Sequence, residues 1–190
     1  MFGEDINFSE PILLTQSELE SVKGFNCGNS SINEYLKEYA VKDKEAVTFF
    51  IKDEDKNENR IAFFYTLNCT GVVINKNYGY KDEIKDVEIK PAVEIKMFAL
   101  DEKYMHTPYF RGLDTYRIGH QLMYELLERI KNDLTTNTIG ADLVVLYSVP
   151  EYVSFYEKCD FKVFEEKYMK NSEMYTADCI PMYRLIRTDE

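Results

Sequence analysis

The segment FYEKCDF at residues 155–161 joins the end of a predicted helix to the start of a predicted strand. Before it, the continuous apolar run at 143–146 predicts a buried strand that ends at Ser148. A short helix is expected from Pro150, because proline is tolerated in the first turn of a helix. The order strand, helix, strand places the phenol of Tyr156 on a short helix between two strands.

Strands and helices also alternate through the rest of the chain. A largely apolar run over 91–100 predicts a buried central strand. Helical spacing predicts a helix over 118–130 with one buried apolar side, which comprises Ile118, Leu122, Met123, Leu126, Leu127 and Ile130. The runs 47–51 and 61–67 predict a hairpin. Further strands are expected over 161–164 and near 180–186, and a surface loop is expected over 75–91. This alternation predicts an α/β or α+β domain, in which helices flank one mixed central β-sheet.

The first clear helix is expected after the Cys27–Asn29 segment. Its apolar stripe repeats at helical spacing and is typical of a helix that packs on a core: Ile32, Tyr35, Leu36, Tyr39 and Ala40. Ser31 followed by Glu34 predicts a capping box at its start. Neither an internal repeat nor a linker composition interrupts the sequence, so residues 1–190 are predicted to form a single domain.

The composition restricts the class of protein. Hydrophobic residues make up 45% of the 190 residues, which is enough for a packed core. The net charge of −11 disfavours nonspecific binding to nucleic acid or to anionic lipid. No apolar run approaches the roughly 20 residues of a membrane span, and the acidic N-terminus is unlike a signal peptide. The four cysteines lie far apart, which favours reduced thiols in the cytoplasm and no metal site.

Four segments carry a family resemblance: FNCGN (25–29) running into INEYL (32–36), RIAFFYTL (60–67), FALDEKY (98–104) and SFYEK (154–158) with Phe161 beyond. In this order they resemble the Gcn5-related N-acetyltransferase superfamily. Within it, the chain is most similar to the acetyltransferase toxins of bacterial toxin–antitoxin pairs. The resemblance implies that fold, and it implies acetyl-coenzyme A as cosubstrate with no metal.

The resemblance also implies where the coenzyme binds. Backbone amides around Phe98, Ala99 and Leu100 would hold the acetyl carbonyl and the pantetheine arm. The pyrophosphate would lie at the start of the following helix, where free N–H groups favour an anion. In this chain, that helix start comprises Arg117, Ile118, Gly119, His120 and Gln121.

The loop before that helix departs from the family pattern of Gln or Arg, two free positions, Gly, one free position, and Gly or Ala. Asp114 stands in place of the Gln or Arg, Arg117 stands in place of the first glycine, and Gly119 remains. Arg111 and Arg117 could offset the charge of Asp114 toward phosphate. The alternative is a degenerate site that binds the coenzyme poorly.

Three residues are candidates for the chemistry and for binding the acceptor. By resemblance, Tyr156 is the proton donor to the leaving thiolate; its alternative is a core tyrosine. Glu94 is a candidate general base, or else a strand residue that faces solvent. Ser148 binds the substrate or caps the next helix. His106 is expected to be an exposed loop residue.

Two classes of function remain open from the sequence. The first is an enzyme that acetylates a primary amine on a small molecule, a protein or an aminoacyl-tRNA, with a homodimer and an antitoxin as candidate partners. The strong negative charge weighs against the tRNA acceptor. The second is a binding module on the same fold that has lost catalysis, which the altered loop over 114–119 would favour.

Overall fold

The computed structural model describes residues 6–54, 60–78, 84–108, 117–135, 140–141, 143–164 and 178–186. Their strands are β1 Ile12–Leu13, β2 Ala46–Lys52, β3 Ile61–Tyr78, β4 Ile84–Leu100, β5 Leu143–Ser148, β6 Lys162–Val163 and β7 Ile180–Leu185. The α-helices are α1 Leu19–Val22, α2 Ser30–Glu34, α3 Ile118–Arg129 and α4 Val153–Glu157. A π-helical turn extends α2 over Tyr35–Tyr39, another extends α3 over Ile130–Thr135, and a 3₁₀ turn over Pro150–Tyr152 precedes α4.

The strands form one mixed seven-stranded sheet in the order β1-β2-β3-β4-β5-β7-β6. The predicted α+β class with a single mixed sheet is therefore confirmed. The predicted hairpin is also confirmed, because β2 pairs antiparallel with β3 and Phe49 lies opposite Tyr65. At the other end of the sheet, β7 pairs antiparallel with both β5 and β6.

The prediction of a surface loop over 75–91 is wrong. Strand β3 continues to Tyr78 and β4 already begins at Ile84, so most of that stretch is extended strand. Charged residues are typical of loops, but a strand is held by backbone hydrogen bonds and need not have an apolar sequence.

The predicted capping box at the start of α2 is also wrong. Asn29 is the N-cap, in an extended conformation, and its side-chain oxygen accepts from the backbone N–H groups of Ser31 (3.0 Å) and Ile32 (3.2 Å). An asparagine side chain is short enough to bond to the N–H groups two and three residues ahead, so it competes well for this position. The helix therefore begins one residue before the predicted cap.

The α3 stripe is confirmed residue by residue. All six residues predicted on its apolar side are buried: Ile118, Leu122, Met123, Leu126, Leu127 and Ile130. Two short elements near the N-terminus, β1 and α1, were not predicted. Elements of two and four residues are too short to show a hydrophobic period.

The chain divides into two compact units, and the single domain over 1–190 stays a prediction. Unit 1 comprises Met1–Asn68 and Ile95–Tyr124. Its core cluster packs α1, α2 and the turn after α2 on strands β2, β3 and β4, through buried residues that include Val22, Phe25, Leu36, Phe50, Phe64 and Ala99. Phe25 and Phe64 meet edge to face, with ring centroids 5.2 Å apart.

Unit 2 comprises Cys69–Glu94 and Glu125–Glu190. One of its core clusters joins Val72 of β3 and Ala92 of β4 to Leu143 and Val145 of β5. Phe164 and Tyr183 pack against this cluster, and their ring centroids are 4.4 Å apart. The strand predicted at 143–146 is confirmed as the buried β5.

A buried carboxylate at the end of β4 ties three segments of unit 1 together. Asp101 is only 1% exposed. Its Oδ1 accepts from Arg60 Nη2 at 3.0 Å and from the backbone N–H of Lys103 at 3.2 Å. Its Oδ2 accepts from the backbone N–H of Asn26 at 3.1 Å. Removing a charge from water is costly unless it is paired and hydrogen-bonded, so these donors determine where the segments meet.

The loop before α2 is fixed against the residue after Asp101. Glu102 donates its backbone N–H to the Asn26 carbonyl at 2.9 Å, and its carboxylate accepts from Asn26 Nδ2, also at 2.9 Å. Gly28 lies beside this pair with φ +77°. A Cβ at Gly28 would lie 2.8 Å from Glu102 Oε1. The positive φ favours glycine here, and a Cβ would in addition displace the Glu102 carboxylate from its position beside Gly28.

Gly28→Ala is expected to lower the free energy of unfolding by about 1–2 kcal/mol, because L residues disfavour left-handed backbone. The matched control is Gly24→Ala, whose Cβ would meet no atom within 4 Å. Its expected change is below about 0.5 kcal/mol. Urea denaturation followed by circular dichroism measures both, and equal losses in the two variants would contradict the assignment.

Candidate functional site

Tyr156 lies in the last turn of α4, in unit 2. Its ring meets two aromatic rings edge to face: Phe155 with centroids 5.0 Å apart, and Phe161 with centroids 5.9 Å apart. Such pairs favour one relative orientation, because the positive edge of one ring faces the negative face of the other. Aromatic contacts therefore orient the phenol.

The end of α4 forms a Schellman motif around Tyr156. The backbone N–H of Phe161 donates to the Tyr156 carbonyl at 3.1 Å, and the N–H of Asp160 donates to the Glu157 carbonyl at 3.0 Å. Asp160 adopts φ +64° between these two bonds. This pattern is the usual end of a helix in which one residue turns left-handed, and a contact between the residues at its two ends commonly accompanies it.

The hydroxyl of Tyr156 has no hydrogen-bond partner among the residues that the structure describes. The Tyr156 side chain is partly buried. Desolvation raises the pKa of its phenol above the usual value, and the neighbouring Cys159, Tyr152 and Cys179 add to the increase. The protonated form therefore persists throughout the neutral range. A protonated phenol can donate one hydrogen bond or one proton.

Ser148 ends strand β5 and is 1% exposed. Its hydroxyl donates to the Val149 carbonyl at 2.9 Å. The capping alternative for Ser148 is wrong. The N-cap of the following 3₁₀ turn is Val149, and this turn has no side-chain cap hydrogen bond. Glu94, on β4, is partly buried, and so does not simply face solvent.

The start of α3 lies in unit 1, and two of its backbone N–H groups donate to acceptors outside the helix backbone ladder. The Arg117 N–H donates to His120 Nδ1 at 3.1 Å, and the Ile118 N–H donates to the Thr107 carbonyl at 3.1 Å. His120 is 5% exposed, so its ring is buried at the N-terminal end of α3. A donor at Nδ1 requires that the imidazole be neutral and carry its proton on Nε2.

Arg117 remains exposed beside this helix start. Its Nη1 lies 2.8 Å from His106 Nδ1, and because a guanidinium only donates, the imidazole accepts. An isolated antiparallel bridge pairs Pro108 with Arg117. His106 is exposed, as predicted. Asp114 and Arg111 lie outside the described residues.

The structure divides the predicted site residues between the two units. Phe98, Ala99 and Leu100 form the end of β4 in unit 1, where Ala99 and Leu100 are buried. The five residues at the start of α3, namely Arg117, Ile118, Gly119, His120 and Gln121, also belong to unit 1. Glu94, Ser148 and Tyr156 belong to unit 2. The roles predicted for all these residues stay predictions.

The sequence patterns did not predict two features of the site. The first is the left-handed backbone of Asp160, and the second is the pairing of Phe161 with Tyr156. The available signal was an Asp followed by an aromatic residue directly after a short helix, since Asp tolerates left-handed backbone better than most residues.

Among the residues that the structure describes, no helix is long and apolar enough to cross a membrane. The same residues contain no group of three or more His, Cys, Asp or Glu side chains placed to hold a metal ion.

Comparison with solved structures gives extensive matches. The structure of AtaTR bound with acetyl-CoA superposes with a TM-score of 0.61 at 15% identity, over 96% of this chain and 94% of that chain. AtaT complexed with acetyl-methionyl-tRNAfMet gives 0.63 at 14% identity, over 95% of both chains. A tyrosine-to-phenylalanine variant of the AtaT toxin gives 0.63 at 13% identity, over 96% of this chain and 91% of that chain.

The chain has the fold of these toxins. The predicted Gcn5-related N-acetyltransferase fold is thereby confirmed, and it extends over nearly the whole chain. No protein-family model matches the sequence, and no curated protein matches it significantly. At 13–15% identity the likeness establishes the fold, and the activity has to be argued from the site.

Tyr156 is expected to titrate above about pH 10, the ordinary value for tyrosine, because burial disfavours the phenolate. NMR of protein labelled with ¹³Cζ-tyrosine measures the shift of each ring carbon against pH, and Tyr156→Phe identifies the signal of this residue. A midpoint at or below pH 10, in protein that circular dichroism shows to be folded, would contradict the burial argument.

Proposed function

We propose that the protein is an N-acetyltransferase that moves the acetyl group of acetyl-coenzyme A to a primary amine. The observation that carries the proposal is the Tyr156 phenol. It stays protonated at neutral pH and is oriented by two aromatic rings at the capped end of α4. The fold supports the proposal, since the similar structure of AtaTR is bound with acetyl-CoA.

The residues at the start of α3 fit an anionic coenzyme. Arg117 presents an exposed guanidinium, and guanidinium groups bind phosphate oxygens through charge-assisted hydrogen bonds. Gly119 leaves the backbone open to close approach, since it has no Cβ. His120 and the Thr107 carbonyl already accept from the N–H groups of Arg117 and Ile118. The N–H groups of His120 and Gln121 donate to the Arg117 carbonyl. We therefore assign phosphate recognition mainly to the Arg117 side chain, and His120 to holding the helix start.

Tyr156 is proposed as the general acid. The coenzyme supplies a thioester, which is an acetyl group activated toward an amine. As the carbon–sulfur bond breaks, negative charge develops on sulfur, and Tyr156 donates its phenolic proton there. Glu94 is proposed to take the proton that the amine loses, and the backbone of Phe98–Leu100 to hold the acetyl carbonyl. Ser148 is proposed to bind the substrate amine, since its hydroxyl can accept a hydrogen bond as well as donate one.

Aminoacyl-tRNA is the second, more specific candidate acceptor. Its support is the similar structure of AtaT with acetyl-methionyl-tRNAfMet. The net charge of −11 opposes it, because tRNA binding needs local positive charge to neutralise phosphates. An antitoxin partner is proposed on the same basis, since a variant of the similar AtaT toxin is bound to the C-terminus of the antitoxin AtaR. A cytoplasmic location follows from these proposed substrates.

Tyr156→Phe is expected to bind acetyl-CoA with wild-type affinity and to lose at least about 100-fold in kcat, the usual contribution of a general acid. Isothermal titration calorimetry measures the affinity, and release of free thiol measures the turnover. Tyr152→Phe is the matched control, because it removes an exposed phenol one helical turn away. Equal losses in both variants would remove Tyr156 from its role.

The same titration separates the enzyme from a binding module that has lost catalysis. Wild-type protein that binds no acetyl-CoA overturns the proposal outright. Protein that binds the coenzyme but turns over no acceptor in a panel of methionyl-tRNA, spermidine and a lysine-containing peptide supports the binding module. If methionyl-tRNA is the acceptor, its KM should rise with salt, because phosphate contacts release counterions.

A further inference from the structure

The phenol of Tyr156 is held in place by a backbone turn and by rings, and not by a hydrogen bond among the described residues. Its carbonyl accepts two backbone donors, the N–H of Cys159 at 2.9 Å and the N–H of Phe161 at 3.1 Å. The Tyr156 carbonyl is therefore the acceptor that closes the C-terminal end of α4. The direction of its side chain is left to packing.

Phe161 is the ring best placed to fix that direction. It is 2% exposed, whereas Phe155, the other ring on Tyr156, is only partly buried. The same turn that brings the Phe161 N–H to the Tyr156 carbonyl also brings the two rings together, at 5.9 Å and an interplanar angle of 75°. A buried ring held at both its backbone and its side chain has few alternative positions.

We infer that Phe161 is a positioning residue for the proton donor. It sets the direction of the Tyr156 phenol through the edge-to-face contact across the Schellman motif. This inference rests on the proposed function of Tyr156 as general acid. Asp160 contributes by turning the chain at φ +64°, so that Phe161 returns onto the helix end. The ion pair of Asp160 with Arg184, at 3.6 Å, adds little because Asp160 is exposed.

Phe161→Leu is expected to lower kcat roughly 10- to 100-fold, since small misplacements of a catalytic group carry penalties of this size. The affinity for acetyl-CoA and the KM of the acceptor should stay unchanged. Val145→Ala is the matched control: it removes apolar volume from the core cluster of unit 2 that contains Val72 and Leu143. It should retain the wild-type kcat although it also destabilises the fold.

A double-mutant cycle separates positioning from general loss of structure. In the Tyr156→Phe background, Phe161→Leu should lower the residual turnover less than twofold, because the group it positions is already absent. An equal fold-loss in both backgrounds overturns the inference. So does a wild-type kcat in the folded Phe161→Leu variant.

An NMR measurement tests the same contact without turnover. In wild-type protein, the ring current of Phe161 should shift the Tyr156 ring protons away from their random-coil positions, and Phe161→Leu should bring them back toward those positions. Unchanged shifts overturn the inference even if the enzyme is active. If Phe161→Leu does not fold, Phe161→Met keeps an apolar side chain of similar length and serves in both experiments. If wild-type protein shows no transfer, the proposed function fails, whereas the NMR result still decides the contact.

Discussion

The need to compensate the buried charge of Asp101 organises unit 1. The three donors around it come from the segment before α2, from the start of β3 and from the turn after β4. Leaving out any one of them would leave part of a carboxylate unpaired inside the protein, which costs several kcal/mol. The end of β4 and the segment before α2 therefore have to meet where their donors can bond to the Asp101 carboxylate.

The same junction explains why some segments of the sequence could be recognised. Three of the four stretches that resemble the acetyltransferases, around Asn26, Arg60 and Asp101, meet at this carboxylate. The α3 stripe predicted its helix correctly, because burial on one face imposes a period. The β5 run predicted its strand correctly, because a strand buried on both faces is continuously apolar. The extension of β3 and β4 and the cap of α2 depend on backbone pairing and on a side-chain bond, which leave no period in the sequence.

The candidate site was predictable in part. The residues alone favoured a core tyrosine at Tyr156, and only the order of the other segments suggested a proton donor. In the structure the ring meets Phe155 and Phe161 edge to face, and desolvation raises the pKa of its hydroxyl. The role of proton donor stays a proposal. The cap formed by His120 on the Arg117 N–H was not predictable, since it depends on one side-chain rotamer.

The four thiols of the chain differ in accessibility, which affects how the protein responds to oxidants and labels. Burial raises the pKa of Cys159 to about 12, so almost none of it is thiolate at neutral pH. Cys69 is exposed on β3. An electrophile should therefore modify Cys69 well before the buried Cys159. Cys69 thus provides a native attachment point for a fluorophore that leaves the end of α4 unmodified.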